Sequence, residues 1–203
     1  ANVFHNKKIR VPFFVPDISK SDKLAVMNAL NSQMLTDGPQ LRKFEQEFAK
    51  YTGSKYAVGV SNGTASLHLA LKALGLKKGD EVIIPDITFV ATVNSVLLTG
   101  ATPVLADVNY DDMNISLDSI KQNITSKTKA ILPVHLAGKI CKMTQIKKIA
   151  KKNNLLLIED CAHAIGTKLN NKHAGTFGNV GCFSFYPTKN FTTIEGGMVI
   201  TNS

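Results

Sequence analysis

Lys189 stands in FSFYPTKNFTTIEGG (183–197), an aromatic, strand-like run that opens into threonines and glycines. A lysine amine condenses with carbonyl groups and carries protons, but only where its surroundings hold it partly neutral. A loop lysine is ordinarily a solvated charge, so other residues must supply the reason for a different role. Two stretches do so. In SNGTASLHLAL (61–71), Asn62-Gly63-Thr64 leads into a helical run rich in Ala and Leu. A glycine turn into a helix N-terminus offers free N–H groups and a positive dipole end, which suit a phosphate, and Thr64 adds a hydroxyl. The plainer alternative is a capped helix. In LLLIEDCAH (155–163), an apolar run closes on Glu159 and Asp160. A carboxylate there is partly desolvated and keeps its charge when a cation faces it. Helix capping is the plainer role for Asp160, and His163 taken alone reads as a satisfied histidine.

A phosphate cradle at Gly63 and Thr64, an acid at Asp160 and a lone lysine at Lys189 together match the needs of pyridoxal 5'-phosphate. That cofactor requires a phosphate site, an acid for its ring nitrogen and a lysine for its imine linkage. Other anion-binding motifs are missing: no GK[ST] follows the glycine turn, and no GxGxxG marks a dinucleotide site. Asp107 and His135 also follow apolar runs, although a cap and a core histidine are their plainer readings. His68 and His173 carry no usable signal.

These residues need elements to hold them. Ser19 to Leu30 has a capping serine and Leu24, Met27 and Leu30 at helical spacing, as in a helix packed on one face. A second helix follows Asp37-Gly38-Pro39, with Leu41, Phe44 and Phe48 on one side. From Tyr56, short apolar runs alternate with helices: strands at 57–61, 81–85, 102–108, 129–135, 155–160, 181–186 and 197–201, with helical runs at 64–74 and 88–98 and a basic helix around Met143, Ile146 and Ile149. Continuously apolar strands interleaved with helices indicate an α/β fold with a mainly parallel central sheet and helices on both faces. In such a sheet, ligands lie beyond the carboxyl ends of the strands, where the candidates above all stand.

Composition excludes several classes. The 203 residues are 44% hydrophobic and 19% charged, as in an ordinary globular protein. The net charge of +9 suits an anionic small molecule, whereas the dispersed lysines, the lack of Trp and the absence of nucleic-acid-binding motifs argue against nucleic acid. Cys141, Cys161 and Cys182 form no CxxC pair, so neither a disulfide frame nor a metal site is expected, and a cytoplasmic setting is. The first fourteen residues show no signal-type apolar run, and no membrane span is expected.

From MLTDGPQLRKFEQEFAKYTG (34–53) to its last residue, the chain resembles the DegT/DnrJ/EryC1/StrS family of sugar aminotransferases. The likeness rests on SNGTASLHLAL, PDITFVATVNSV, EDCAHAIG and FSFYPTKNFTTIEGGMVIT. It implies the large domain of a pyridoxal-phosphate enzyme of fold type I, aspartate aminotransferase-like, over residues 1–203, with an N-terminal helical segment and without the small C-terminal domain. It implies that Lys189 bonds to the cofactor, Asp160 pairs with the protonated ring nitrogen, and Gly63, Thr64 and Ser184 hold the phosphate. Phe89 would lie against the ring, and His163, where members often carry Gln, would approach the 3'-oxygen. The expected reaction moves an amino group, from glutamate, to a nucleotide-linked keto-sugar in a homodimer. Related sugar dehydratases carry histidine in place of the lysine, so Lys189 favours aminotransfer; a catalytically silent regulatory protein of the same fold is the other alternative.

Overall fold

The computed structural model describes residues 14–203, so the reading of the extreme N-terminus as lacking a signal-type run falls outside the described residues. Helix α1, Lys20–Leu30, starts in a capping box: Asp22 N–H donates to Ser19 Oγ at 3.1 Å, and Ser19 N–H donates to the Asp22 carboxylate at 2.8 Å. Helix α2, Pro39–Thr52, opens with proline in its first turn and ends at Gly53, whose φ of 75° is one that glycine adopts without strain. The remaining elements are β1 Tyr56–Val60, α3 Gly63–Ala73, β2 Glu81–Pro85, α4 Val90–Leu97, β3 Thr102–Ala106, α5 Leu117–Gln122, β4 Thr128–Ile131, α6 Met143–Lys152 and β5 Leu156–Asp160. A small hairpin, β6 Lys168–Leu169 and β7 Lys172–His173, precedes β8 Val180–Ser184 and β9 Gly197–Thr201.

The main sheet runs β1-β9-β8-β5-β4-β2-β3. The pairs β2–β3, β2–β4, β4–β5 and β5–β8 are parallel, while β9 is antiparallel to both neighbours. Its direction follows from its connection. The link from β8 to β9, residues 185–196, contains no crossover helix, so the chain can only turn back beside the strand it has left. The mainly parallel sheet expected from the sequence is therefore present, with one reversed strand that the apolar pattern does not reveal.

Side chains alternate across this sheet. Val82, Ile84 and Ile158 face a core formed with α3 and α4, including Leu67, Leu71 and Val96. Ile83, Ile131 and Leu157 face the opposite core, where Ile120 of α5 and Met143 and Ile146 of α6 meet them. A third cluster joins Phe48 of α2 to Phe183, Phe185, Met198 and Ile200. As expected, α6 buries its apolar stripe and leaves Lys147, Lys148 and Lys151 exposed.

Two expectations need correction. Helix α1 forms, but Leu24, Met27 and Leu30 are all exposed: no surface among the described residues reaches its apolar side. The strand expected over 129–135 stops its regular pairing at Ile131, and Pro133 follows, which has no N–H to donate. Beyond the proline, Val134 forms only an isolated bridge with Asp160, and the chain turns into a short 3-10 segment, Leu136–Gly138.

Candidate active site

The alternation across β5 sends its last two residues to opposite faces. Asp160 shares the side of Ile158, over α3 and α4, and Glu159 shares the side of Leu157. On Asp160's side lies a cleft of about 580 Å³ whose walls include Gly63, Thr64, Phe89, Asp160, His163, Ser184 and Lys189. The seven residues assigned above to the cofactor thus meet at one place, because β1, β2, β5 and β8 all end on the same edge of the sheet.

The cradle is the start of α3. Asn62 caps the helix, its side-chain oxygen accepting from Ala65 N–H at 2.8 Å, so the cap anticipated as an alternative is present. The N–H groups of Gly63 and Thr64 have no acceptor within the helix. Glycine is required at 63 by a close approach: a Cβ there would sit 2.7 Å from Ser184 Cβ. This brings the Ser184 hydroxyl beside the helix start, where its oxygen also accepts from Tyr186 N–H at 3.5 Å.

Asp160 is 5% exposed and holds two hydrogen bonds, from Thr92 Oγ1 at 2.9 Å and Ala162 N–H at 3.1 Å. A carboxylate has about four acceptor sites, so about two remain for a donor. Thr92 in turn shares a 2.8 Å hydrogen bond with Thr88. Neither threonine stood out in the sequence; their spacing of four, Thr88 just before α4 and Thr92 in its first turn, was the available signal.

Lys189 sits on the β8–β9 link, where its N–H donates to Tyr186 O at 2.9 Å. Half-burial lowers its pKa from the ordinary value, and the Asp160 carboxylate pulls in the opposite sense. Burial likewise lowers the pKa of His163, with the charge of Lys189 adding to the effect and Asp160 opposing it. Ala137 N–H donates to His163 Nδ1 at 3.3 Å, which puts the proton of the neutral ring on Nε2. Phe89, at the N-terminus of α4, is 69% exposed.

The other positional candidates fall elsewhere. Asp107 is exposed, accepts from Val108 N–H at 2.8 Å and does not line the cleft. His135 is wholly buried behind the sheet, beside Glu159. His173 braces a loop, donating from Nδ1 to Ala174 O and accepting Gly166 N–H on Nε2. Three buried groups, His135, Glu159 and Cys161, lie within 4.8 Å of one another. Glu159 already accepts from Gly175, Phe177 and Gly178 N–H and faces His135, and burial drives the Cys161 thiol well above its usual pKa, so a cation would have to displace existing partners.

A mainly parallel sheet with a lysine, a buried aspartate and a helix-start cradle at one edge defines a pyridoxal-phosphate protein of fold type I. The chain belongs to the DegT/DnrJ/EryC1/StrS aminotransferase family, whose model matches residues 16–203. It is 47% identical over 193 residues to a GDP-perosamine synthase of Escherichia coli O157:H7, an alignment covering 95% of this chain and 53% of the synthase. Helicobacter pylori PseC, an aminotransferase involved in the biosynthesis of pseudoaminic acid, superposes with a TM-score of 0.91 at 36% identity, over 95% of this chain and 52% of that one. Spr1654 of Streptococcus pneumoniae, solved in PLP and PMP forms, superposes with a TM-score of 0.92 at 33% identity, over 95% of this chain and 52–53% of its own. The chain thus spans about half the length of the relatives it matches. The cofactor of the family is pyridoxal 5'-phosphate, and the donors and acceptors in the cleft fit its phosphate, its ring nitrogen and its carbonyl.

Proposed function

We propose that this chain serves a pyridoxal-phosphate-dependent aminotransferase reaction that moves an amino group, with glutamate as donor, to a nucleotide-linked keto-sugar. The observation that carries the reading is the meeting, in one cleft, of half-buried Lys189, Asp160 with open acceptor sites and the N–H groups that begin α3. When bound, the cofactor supplies an electrophilic carbonyl and a ring that absorbs carbanion electrons. Asp160, oriented by Thr92 and Ala162, holds a proton on the ring nitrogen. Gly63, Thr64 and Ser184 hold the phosphate, Phe89 covers the ring, and His163 donates from Nε2 to the 3'-oxygen. Lys189 would hold the cofactor at its carbonyl carbon, and as a free amine it would take and return a proton at the substrate carbon that carries the nitrogen. An ordinary lysine, with pKa ~10.4, is a poor base at neutral pH; the downward shift supplies more of the free amine.

The substrate class rests on the named relatives and on the net charge of +9, which favours a diphosphate. The exposed Ile87, Phe89 and Val90 beside the cleft support a homodimer whose second copy completes the phosphate site. The three cysteines are free and buried, which supports a cytoplasmic setting; among the described residues no helix is long and apolar enough to cross a membrane.

The test is mass spectrometry of products from a panel of nucleotide keto-sugars incubated with the protein, cofactor and glutamate. Replacement of a keto oxygen by an amino group in at least one sugar is expected. Loss of a hydroxyl without nitrogen gain marks the dehydratase alternative. No reaction, together with no change in the cofactor's spectrum on adding glutamate, marks a silent protein.

A further inference from the structure

We infer that His135 and Glu159, neither of which lines the cleft, are positioning residues for Asp160, and that they act as one clamp on the end of β5; the inference rests on the role proposed for Asp160. His135 grips two successive acids. Its Nδ1 accepts Cys141 N–H at 3.2 Å, which leaves the ring proton on Nε2 to donate to Glu159 Oε2 at 3.1 Å. Its main-chain N–H donates to Asp160 O at 3.1 Å, while Asp160 N–H donates to Pro133 O at 2.9 Å.

Glu159 is 0% exposed and is saturated from the other side. Phe177 and Gly178 N–H each donate to Oε1 at 2.7 Å, and Gly175 N–H donates to Oε2 at 2.9 Å. The loop that brings these donors has no slack, since a Cβ on Gly175 would lie 2.9 Å from the Phe183 ring. Because successive side chains of a strand point to opposite faces, rolling the strand end would swing Asp160 in the cleft and pull Glu159 out of its nest together. A full set of N–H donors behind the sheet therefore opposes any roll of the acid in front. The saturation has an electrostatic consequence as well. Glu159's charge is met by its own donors, so Asp160 is the carboxylate left to attract a cation in the cleft.

The experiment reads the ring nitrogen directly. The protein is loaded with pyridoxal phosphate labelled with ¹⁵N in the ring, unmodified and as His135→Phe and His135→Gln. The unmodified protein is expected to show a protonated ring nitrogen. His135→Phe should keep the cofactor fixable on Lys189 by borohydride but move the resonance toward the unprotonated position, and His135→Gln, whose amide again donates, should restore part of the shift. A folded His135→Phe with an unmoved resonance overturns the clamp. Should the variants not fold, hydrogen exchange of the unmodified protein decides. The amides of Asp160, Gly175, Phe177 and Gly178 should open together, with protection equal within about threefold, whereas protection about a hundredfold weaker at 175–178 than at Asp160 overturns it. An unprotonated ring nitrogen in the unmodified protein would instead sink the role given to Asp160, with the exchange result still judging the clamp.

Discussion

Glu159 and Asp160 are neighbours in the chain and opposites in the fold. Behind the sheet, Glu159 has a hydrogen bond for every acceptor site: three main-chain N–H groups and the His135 ring. In front, Asp160 has two partners, and the lysine in its cleft is half-buried with a depressed pKa. The backbone shows the same contrast. The tight turn behind the sheet places glycine, Gly175, at a φ of 87°, whereas the lysine-bearing link in front forces the β-branched Ile194 to a φ of 71°. One face satisfies its groups; the other leaves acceptor sites open, and open acceptor sites are what a cofactor can fill.

The largest effect should come from emptying the satisfied side. Glu159→Ala leaves its N–H donors and the His135 ring unpaired in the interior, and should cost at least about 3–5 kcal/mol in urea unfolding or prevent folding altogether. A variant as stable as the parent would erase the comparison. On the open side the losses should be chemical. After incubation with pyridoxal phosphate and borohydride, peptide mapping should find the cofactor on Lys189, and Lys189→Ala should abolish this with little change in melting temperature. Reduction onto another lysine would refute the assignment.

Asp160→Asn should fold and retain cofactor, yet lose transamination by about a hundredfold or more, since an amide cannot hold the ring nitrogen's proton. An undiminished rate would make Asp160 a mere cap. A smaller effect concerns acid stability. Because the folded pKa of His163 lies below the ordinary 6.5, the unfolded chain takes up its proton first. Stability is then complete above about pH 6.5 and declines as the pH falls from there through the folded value. His163→Gln should flatten part of that decline in melts between pH 7 and 5; His173, lowered by burial in the same direction, should account for a further part. A profile identical to the parent's would remove His163 from the titrating groups. Smallest of all, Ile194→Gly should relieve left-handed strain and raise stability by up to about 1 kcal/mol, partly offset by the freedom glycine adds to the unfolded chain. A lower melting temperature would show that the strain is not there.

Much of this was legible in the residues themselves. Strands 81–85 and 197–201 have the ends their apolar runs announce, and Gly63, Thr64, Asp160 and Lys189 could be gathered before any coordinates because parallel strands bring their carboxyl ends to one edge. Phe89, Ser184 and His163 came from family likeness, and they line the same cleft. Local pattern suffices for such features, since periodicity and turn chemistry act over a few residues. Other features depended on contacts between distant segments. The exposure of α1 depends on what the other described residues fail to reach, and the reversal of β9 on the lack of a crossover after β8. Thr92 reads as helix filling until α4 is laid against β5, and His135 as a core histidine until the turn beyond Pro133 sets its ring on Glu159 and its main chain on Asp160. Residue type specifies how many hydrogen bonds a group needs; only the packed chain decides which segment supplies them and which acid is left with room for a ligand.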